Sequence, residues 1–247
     1  MTSGNKERAQ SQENPIAEVI PLSGWRKVLA ERMLSSHLNY AEVTQMREVD
    51  VTELVNLRQS LLSRLEEKYG FRLSYTHLLI KAAAQALRQH PIVNSSLVDE
   101  EIRILSDVNI AMVVALDNGQ LLAPVIRQAD RKSIVEVARE AIKLTEQIRA
   151  RRFNLDVLAG GTFTVTNAGM YGTDFVTPLI NVPQSAALGV GRLVPKPVVR
   201  DSQIVIRTIM GLSLTYDHRV LTGATAAQFF QTLEGIIENT KQLDLGI

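Results

Sequence analysis

Residues 212–223 read Leu-Ser-Leu-Thr-Tyr-Asp-His-Arg-Val-Leu-Thr-Gly, a β-rich run that breaks into charged residues at Asp217 and gives way to a helix. Functional side chains are often carried at such a strand end. On spacing alone, a histidine between Asp217 and Arg219 is as consistent with a surface or structural residue as with a catalyst. Downstream, about Ala224 to Thr240 is predicted helical, with Ala226, Phe230, Leu233 and Ile237 on one side. Upstream lie predicted strands at Thr162–Thr166, Ala186–Val190, Lys196–Arg200, Gln203–Arg207 and Ile209–Tyr216, with a loop over Asn167–Asp174.

The first half of the chain interleaves helices with the same kind of strand. Val51, Leu54, Val55, Leu61, Leu62 and Leu65 recur at three- and four-residue spacing and predict a helix over 51–68 stopped by Gly70. A second, alanine-rich helix is expected from about Thr76 to Gln89, ending before Pro91. Ser133 with Glu136 three residues on forms a capping box for a helix reaching about Arg151. Apolar runs at 108–116 and 121–126 around Asp117-Asn118-Gly119-Gln120 give a hairpin signal. A strand is predicted at Val43–Val51 and a short one at Ile102–Leu105, and from Ser23 the pattern turns helical, with Trp25, Val28, Leu29 and Met33 on one face. This alternation predicts an α+β fold, a mixed β-sheet layered with helices. Residues 1–17 are polar and are expected to be a tail or linker end, leaving 18–247 as one domain.

Composition narrows the chemistry. A net charge of +1 over 247 residues gives no electrostatic reason to expect nucleic acid or an anionic membrane as partner. The absence of cysteine removes disulfides, thiolate metal sites and cysteine nucleophiles, so thiol chemistry has to come from the substrate. His37, His77 and His90 have no metal-ligand spacing, and helix-surface or helix-end roles are expected for them. No run of eighteen apolar residues and no apolar signal core is present, which reads as a cytoplasmic protein.

Tyr216-Asp217-His218-Arg219 with Gly223 resembles the C-terminal signature of the acyltransferase component of 2-oxo acid dehydrogenase complexes, a family itself similar to chloramphenicol acetyltransferase. The resemblance covers about Ile20 to Ile247. It includes Arg26 to Met33, Glu48 to Leu54, Asn118 to Ile126, Gly161 to Asn167 and Pro178 to Ala186, in the family's order.

The resemblance implies a chloramphenicol acetyltransferase-like fold, and an acyl group moved between dihydrolipoamide and coenzyme A. It also implies His218 as general base and Thr166 as the hydroxyl that meets the oxyanion. The chemistry suits these residues. An incoming thiol of pKa roughly 8 to 9 must lose its proton, and an imidazole of pKa about 6.5 is matched to take it. The tetrahedral oxyanion then needs a pre-placed donor, worth about 3 kcal/mol. Read alone, Thr166 is a threonine at a strand end, where threonine is common. In this family hydroxyl and histidine face one another across a subunit boundary, which implies a homotrimer, assembled into a larger cage.

Arg58 lies on the apolar stripe of its helix and must find an internal acid, snorkel out, or meet an anionic ligand. The resemblance implies the last, the phosphate end of coenzyme A, which forked guanidinium donors suit. One position departs from the signature: Thr222 stands where relatives carry an acid or asparagine. In relatives that acid ties the catalytic loop to the arginine matching Arg26, so Thr222, Arg26 and Asp217 are expected to support the loop. The family's lipoyl domain and the domain that binds the other complex components do not precede Ile20, so the sequence reads either as a core fragment beginning in the last linker or as a chain that takes its lipoyl group from another polypeptide. In both cases the lipoyl group is expected on a domain outside it. Two alternatives stay open: a catalytically weakened structural core, or an acetyltransferase acting on a small hydroxylated acceptor.

Overall fold

The computed structural model describes residues 15–246. Its elements are α1 (Trp25–Asn39), β1 (Glu42–Asp50), α2 (Thr52–Tyr69), α3 (Tyr75–Gln89), β2 (Ser95–Val98), β3 (Glu101–Ile104), β4 (Ile110–Met112), β5 (Val114–Ala115), β6 (Leu121–Leu122), β7 (Val125–Ile126), α4 (Ile134–Arg149), β8 (Phe163–Asn167), β9 (Ala186–Arg200), β10 (Gln203–Asp217) and α5 (Gly223–Glu238). Most of the expected polar tail, residues 1–14, lies outside the described residues.

Side-chain caps set three of the helix starts. Ser133 accepts the Glu136 amide while Glu136 reaches back to the Ser133 amide, the predicted capping box of α4. Ser74 caps α3 in the same way, with His77 Nδ1 in place of a carboxylate. Thr222 caps α5 through the Thr225 amide. Gly70, at φ 71°, closes α2 in the left-handed conformation expected of a stop.

The main sheet has the order β1-β10-β9-β8-β4-β7. Strands β8 and β4, and β8 and β9, pair in parallel, and the other neighbours are antiparallel, so the sheet is mixed. Alternation along the strands gives it two unlike faces. Phe163, Val165, Leu188, Leu212 and Leu214 join the apolar faces of α2, α3, α4 and α5 in one core, in which the rings of Phe163 and Phe229 lie 6.0 Å apart. Burying each such side chain contributes about 2 to 3 kcal/mol. The alternating residues Thr164, Ser213 and Thr215 are also buried, but they are small and polar.

An irregular stretch, residues 174–185, packs against the sheet. It fits because Gly191 and Gly211 leave room: a Cβ at either would sit 1.8 or 2.2 Å from the Asp174 carbonyl oxygen. Further along, Asn181 and Gln184 hydrogen-bond the Thr164 hydroxyl at 2.9 and 2.6 Å. The stretch thereby reaches both the β8 side of the sheet and, through Ile180, the first residue of β1.

Three sequence expectations differ from the structure. The four strands expected over 186–216 are two continuous ones, β9 and β10, paired from Ala186–Tyr216 to Arg200–Gln203. Pro195 and Pro197 do not break β9, because past Val190 it has β10 as its one strand neighbour among the described residues and a missing N–H is tolerated on the open side. Strand β2, the partner of β3, has no apolar alternation to announce it. The apolar residues of α1 are found on a helix as expected, yet Ser36 is its one buried residue.

Candidate functional site

His218 follows the last residue of β10, in a turn that two other parts of the chain hold. Its amide donates to the Ala41 carbonyl at 2.9 Å, and the Asp217 amide donates to the Ser185 carbonyl at 2.9 Å. The imidazole is exposed, lies 5.8 Å from the Tyr216 ring, and makes no hydrogen bond to a described residue.

The charge beside it is internally neutralised. Asp217 is fully buried and grips Arg219 through both carboxylate oxygens at 2.6 to 3.0 Å. The Arg219 guanidinium lies 5.4 Å from the Tyr40 ring centroid. Burial, and then the Asp217 charge, push the Tyr40 phenol above its ordinary value. Thr222 is exposed, and its hydroxyl also lies 2.9 Å from that of Thr225. Arg26 has no hydrogen bond to Thr222 among the described residues; its guanidinium sits over its own neighbour's ring, Trp25, at 4.7 Å.

Thr166 sits near the end of β8, half-buried and in register with Gly189 of β9, which is itself in register with Ser213 of β10. Within one chain it is therefore two strands across and five residues along from His218, roughly 19 Å by ideal strand spacing. The structure does not bring these two predicted residues together in a single copy.

It does connect Thr166 with Arg58. Asn167, the next residue, donates to the Thr76 hydroxyl at 3.0 Å, in the first turn of α3. Arg58 packs against the start of that helix: its Nε donates to the Leu73 carbonyl at 2.7 Å and its guanidinium lies 4.7 Å from the Tyr75 ring centroid. Of the two partners open to Arg58, an internal acid is not used, since it forms no ion pair with a described residue. The guanidinium keeps donors free for an anion.

His77, which sequence reasoning set aside, belongs to this region. It is buried, and burial followed by the Arg58 charge lowers its pKa to about 4. With Nδ1 accepting the Ser74 amide, the proton of the neutral ring is on Nε2. The paired Ser and His three residues apart were the available signal, masked because a capping box is usually read with Glu or Gln. His90 caps the end of α3 and meets the Thr232 hydroxyl at 2.8 Å, and His37 lies in the last turn of α1. Among the described residues no three His, Cys, Asp or Glu side chains cluster to hold a metal ion, and no helix is long and apolar enough to cross a membrane.

Comparison with known proteins gives this geometry relatives. Residues 14–245 match the family described as 2-oxoacid dehydrogenases acyltransferase (catalytic domain). The chain is 38% identical over 249 residues to the dihydrolipoyllysine-residue acetyltransferase component of the acetoin cleaving system of Bacillus subtilis, covering 99% of this chain and 62% of that protein. It is 33% identical over 251 residues to the dihydrolipoyllysine-residue succinyltransferase component of the 2-oxoglutarate dehydrogenase complex of Haemophilus influenzae, covering 98% of this chain and 61% of that one. The chain thus spans about three fifths of these relatives.

Among solved structures it resembles the Azotobacter vinelandii dihydrolipoamide acetyltransferase, studied for a serine, a histidine and an asparagine in its catalytic mechanism. The TM-score is 0.88 and the identity 32%, covering 95% of this chain and 99% of that one. The cubic core of a pyruvate dehydrogenase multienzyme complex matches with the same values. A chloramphenicol acetyltransferase shares the fold at 12% identity and a TM-score of 0.51, covering 89% of this chain and 99% of that one.

Proposed function

The chain belongs to the 2-oxoacid dehydrogenases acyltransferase (catalytic domain) family, and from that membership we propose that it exchanges an acyl group between coenzyme A and a dihydrolipoyl thiol. The reading is carried by His218, an exposed imidazole whose nitrogens are unengaged among the described residues, on a turn pinned by two backbone hydrogen bonds. Thr166, His218 and Thr222 also follow one another at the same sequence spacing as the serine, histidine and asparagine studied in the Azotobacter enzyme.

In this reading His218 takes the proton of the incoming thiol, and the thiolate attacks the thioester carbonyl. The Thr166 hydroxyl donates to the oxyanion. As the tetrahedral species collapses, the departing thiolate takes the proton back from the imidazolium, so the protein ends as it began and forms no covalent bond. The roughly 19 Å between the two residues within a copy supports a site made by two copies, His218 from one and Thr166 from the next. A homotrimer built into a larger core suits that geometry, and one of the similar solved structures is itself a cubic core. Arg58 binds a phosphate of coenzyme A on the Thr166 side, while Asp217 and Thr222 hold the His218 turn. The lipoyl group arrives on a separate domain, and the reaction takes place in the cytoplasm.

Thiol exchange between acetyl-, succinyl- or branched acyl-coenzyme A and dihydrolipoamide tests this directly and names the acyl group. Inactivity with all three thioesters in an assembled protein overturns the reading in favour of a structural core. Acylation of small hydroxylated acceptors, with the thiol left untouched, favours the chloramphenicol acetyltransferase type of reaction instead.

A further inference from the structure

Glu42, the first residue of β1, is half-buried and has no cation within ion-pair distance among the described residues. Its carboxylate instead accepts the Ile180 amide at 3.0 Å and lies 3.1 Å from the Ser36 hydroxyl. Ser36, fully buried in α1, is in turn 2.7 Å from the Ile180 carbonyl. Both polar groups of the Ile180 backbone are therefore fastened to the α1–β1 corner by these two side chains.

That corner and that stretch are the same two that hold the histidine turn. Ala41, beside Glu42, accepts the His218 amide, while its own amide faces the Asp217 carboxylate at 3.4 Å. Ser185, at the far end of the stretch that carries Ile180, accepts the Asp217 amide. The two carbonyls that fix residues 217 and 218 thus belong to separate segments, and Glu42 joins those segments side chain to backbone. The other ionisable groups around the turn are engaged with one another: Asp217 with Arg219, and Arg219 with the Tyr40 ring.

We propose that Glu42 is a positioning residue for His218, a staple that keeps the two supports of its turn in register. It does not touch substrate. The role rests on the acyl-transfer reading for its effect on rate, but its effect on the turn can be read without activity.

The test compares Glu42→Ala with Glu42→Gln in the whole chain, following transfer kinetics and hydrogen exchange of the His218 amide. Glu42→Ala is expected to lower kcat about tenfold or more through misplacement of the base, leave KM for the coenzyme A thioester unchanged, and speed His218 amide exchange at least tenfold. Glu42→Gln keeps an acceptor for Ile180 and is expected to restore both. Wild-type exchange at His218 in a folded Ala variant overturns the proposal, as does equal loss in the Ala and Gln variants. If Glu42→Ala does not fold, Ser36→Ala, which removes the other half of the staple, must accelerate the same amide; unchanged exchange there also overturns it. A wild-type chain inactive in transfer refutes the acyl-transfer reading, while the exchange measurement still decides this one.

Discussion

The ends of β8 and β10 are built in opposite ways. Thr166 rides on a strand paired on both sides, by β4 and β9, and the residue after it is bound to α3. His218 stands beyond the last residue of β10, in an exposed turn held by backbone bonds to two segments that are not its own strand. The contrast matches the work proposed for each. An oxyanion donor is useful only if already in place when charge develops, so rigidity serves it. A base that collects and returns a proton needs open access to two thiols, so it is placed at an edge and steadied from beneath.

The largest effect is expected from removing the imidazole beyond β10. His218→Ala is expected to reduce acyl transfer by several orders of magnitude, on the order of 10³-fold or more, and full activity by the exchange assay would refute the mechanism. Thr166→Ala is expected to cost about a hundredfold in kcat, with little change in thermal stability because the hydroxyl has no described partner in the chain. A drop in stability instead of rate would recast Thr166 as a structural strand residue.

The buried ring beside Arg58 sets a pH limit on that interior half. Because the folded pKa of His77, about 4, lies below the unfolded one, its contribution is fully present above about pH 6.5 and is lost as pH falls from there toward 4. The loss amounts to about 3 kcal/mol. Urea unfolding at pH 7 and pH 4.5 should show a slope that His77→Gln diminishes. Arg58→Ala is expected to raise KM for coenzyme A about tenfold with kcat nearly unchanged, and a loss confined to kcat would move Arg58 out of the binding role. The smallest effect belongs to Thr222→Asp, expected to leave kcat within about twofold or to raise it, since aspartate also caps a helix start. A large loss there would mean that the turn is built around the threonine hydroxyl.

Much of the interior half is legible in sequence. Leu54, Leu61 and Leu65 at helical spacing, the Ser133–Glu136 box and the stop at Gly70 each state a local preference that the fold keeps. The parts that are hard to read depend on distant partners. Residues 191–195 separate two predicted strands and end on Pro195, and one strand runs through them because, among the described residues, β9 has no second strand neighbour there. Arg58 lies between an acid and a ligand until its guanidinium is seen to bond the Leu73 carbonyl and to form no ion pair among the described residues. Residues 174–185 have no period at all, and their path is written in Gly191 and Gly211, which are not their sequence neighbours. Glu42 reads as an ordinary polar residue at a strand start, because Ser36, Ile180 and His218 converge on that corner only in three dimensions.

The seat of the Asp174 carbonyl on Gly191 and Gly211 bears on how the chain can evolve. Drift can reach Thr222, whose side chain is exposed and needs one partner a turn further on. It cannot easily reach two positions where even a methyl group would overlap a neighbouring carbonyl. The stretch with the least regular backbone is thereby anchored to some of the least replaceable residues in the molecule.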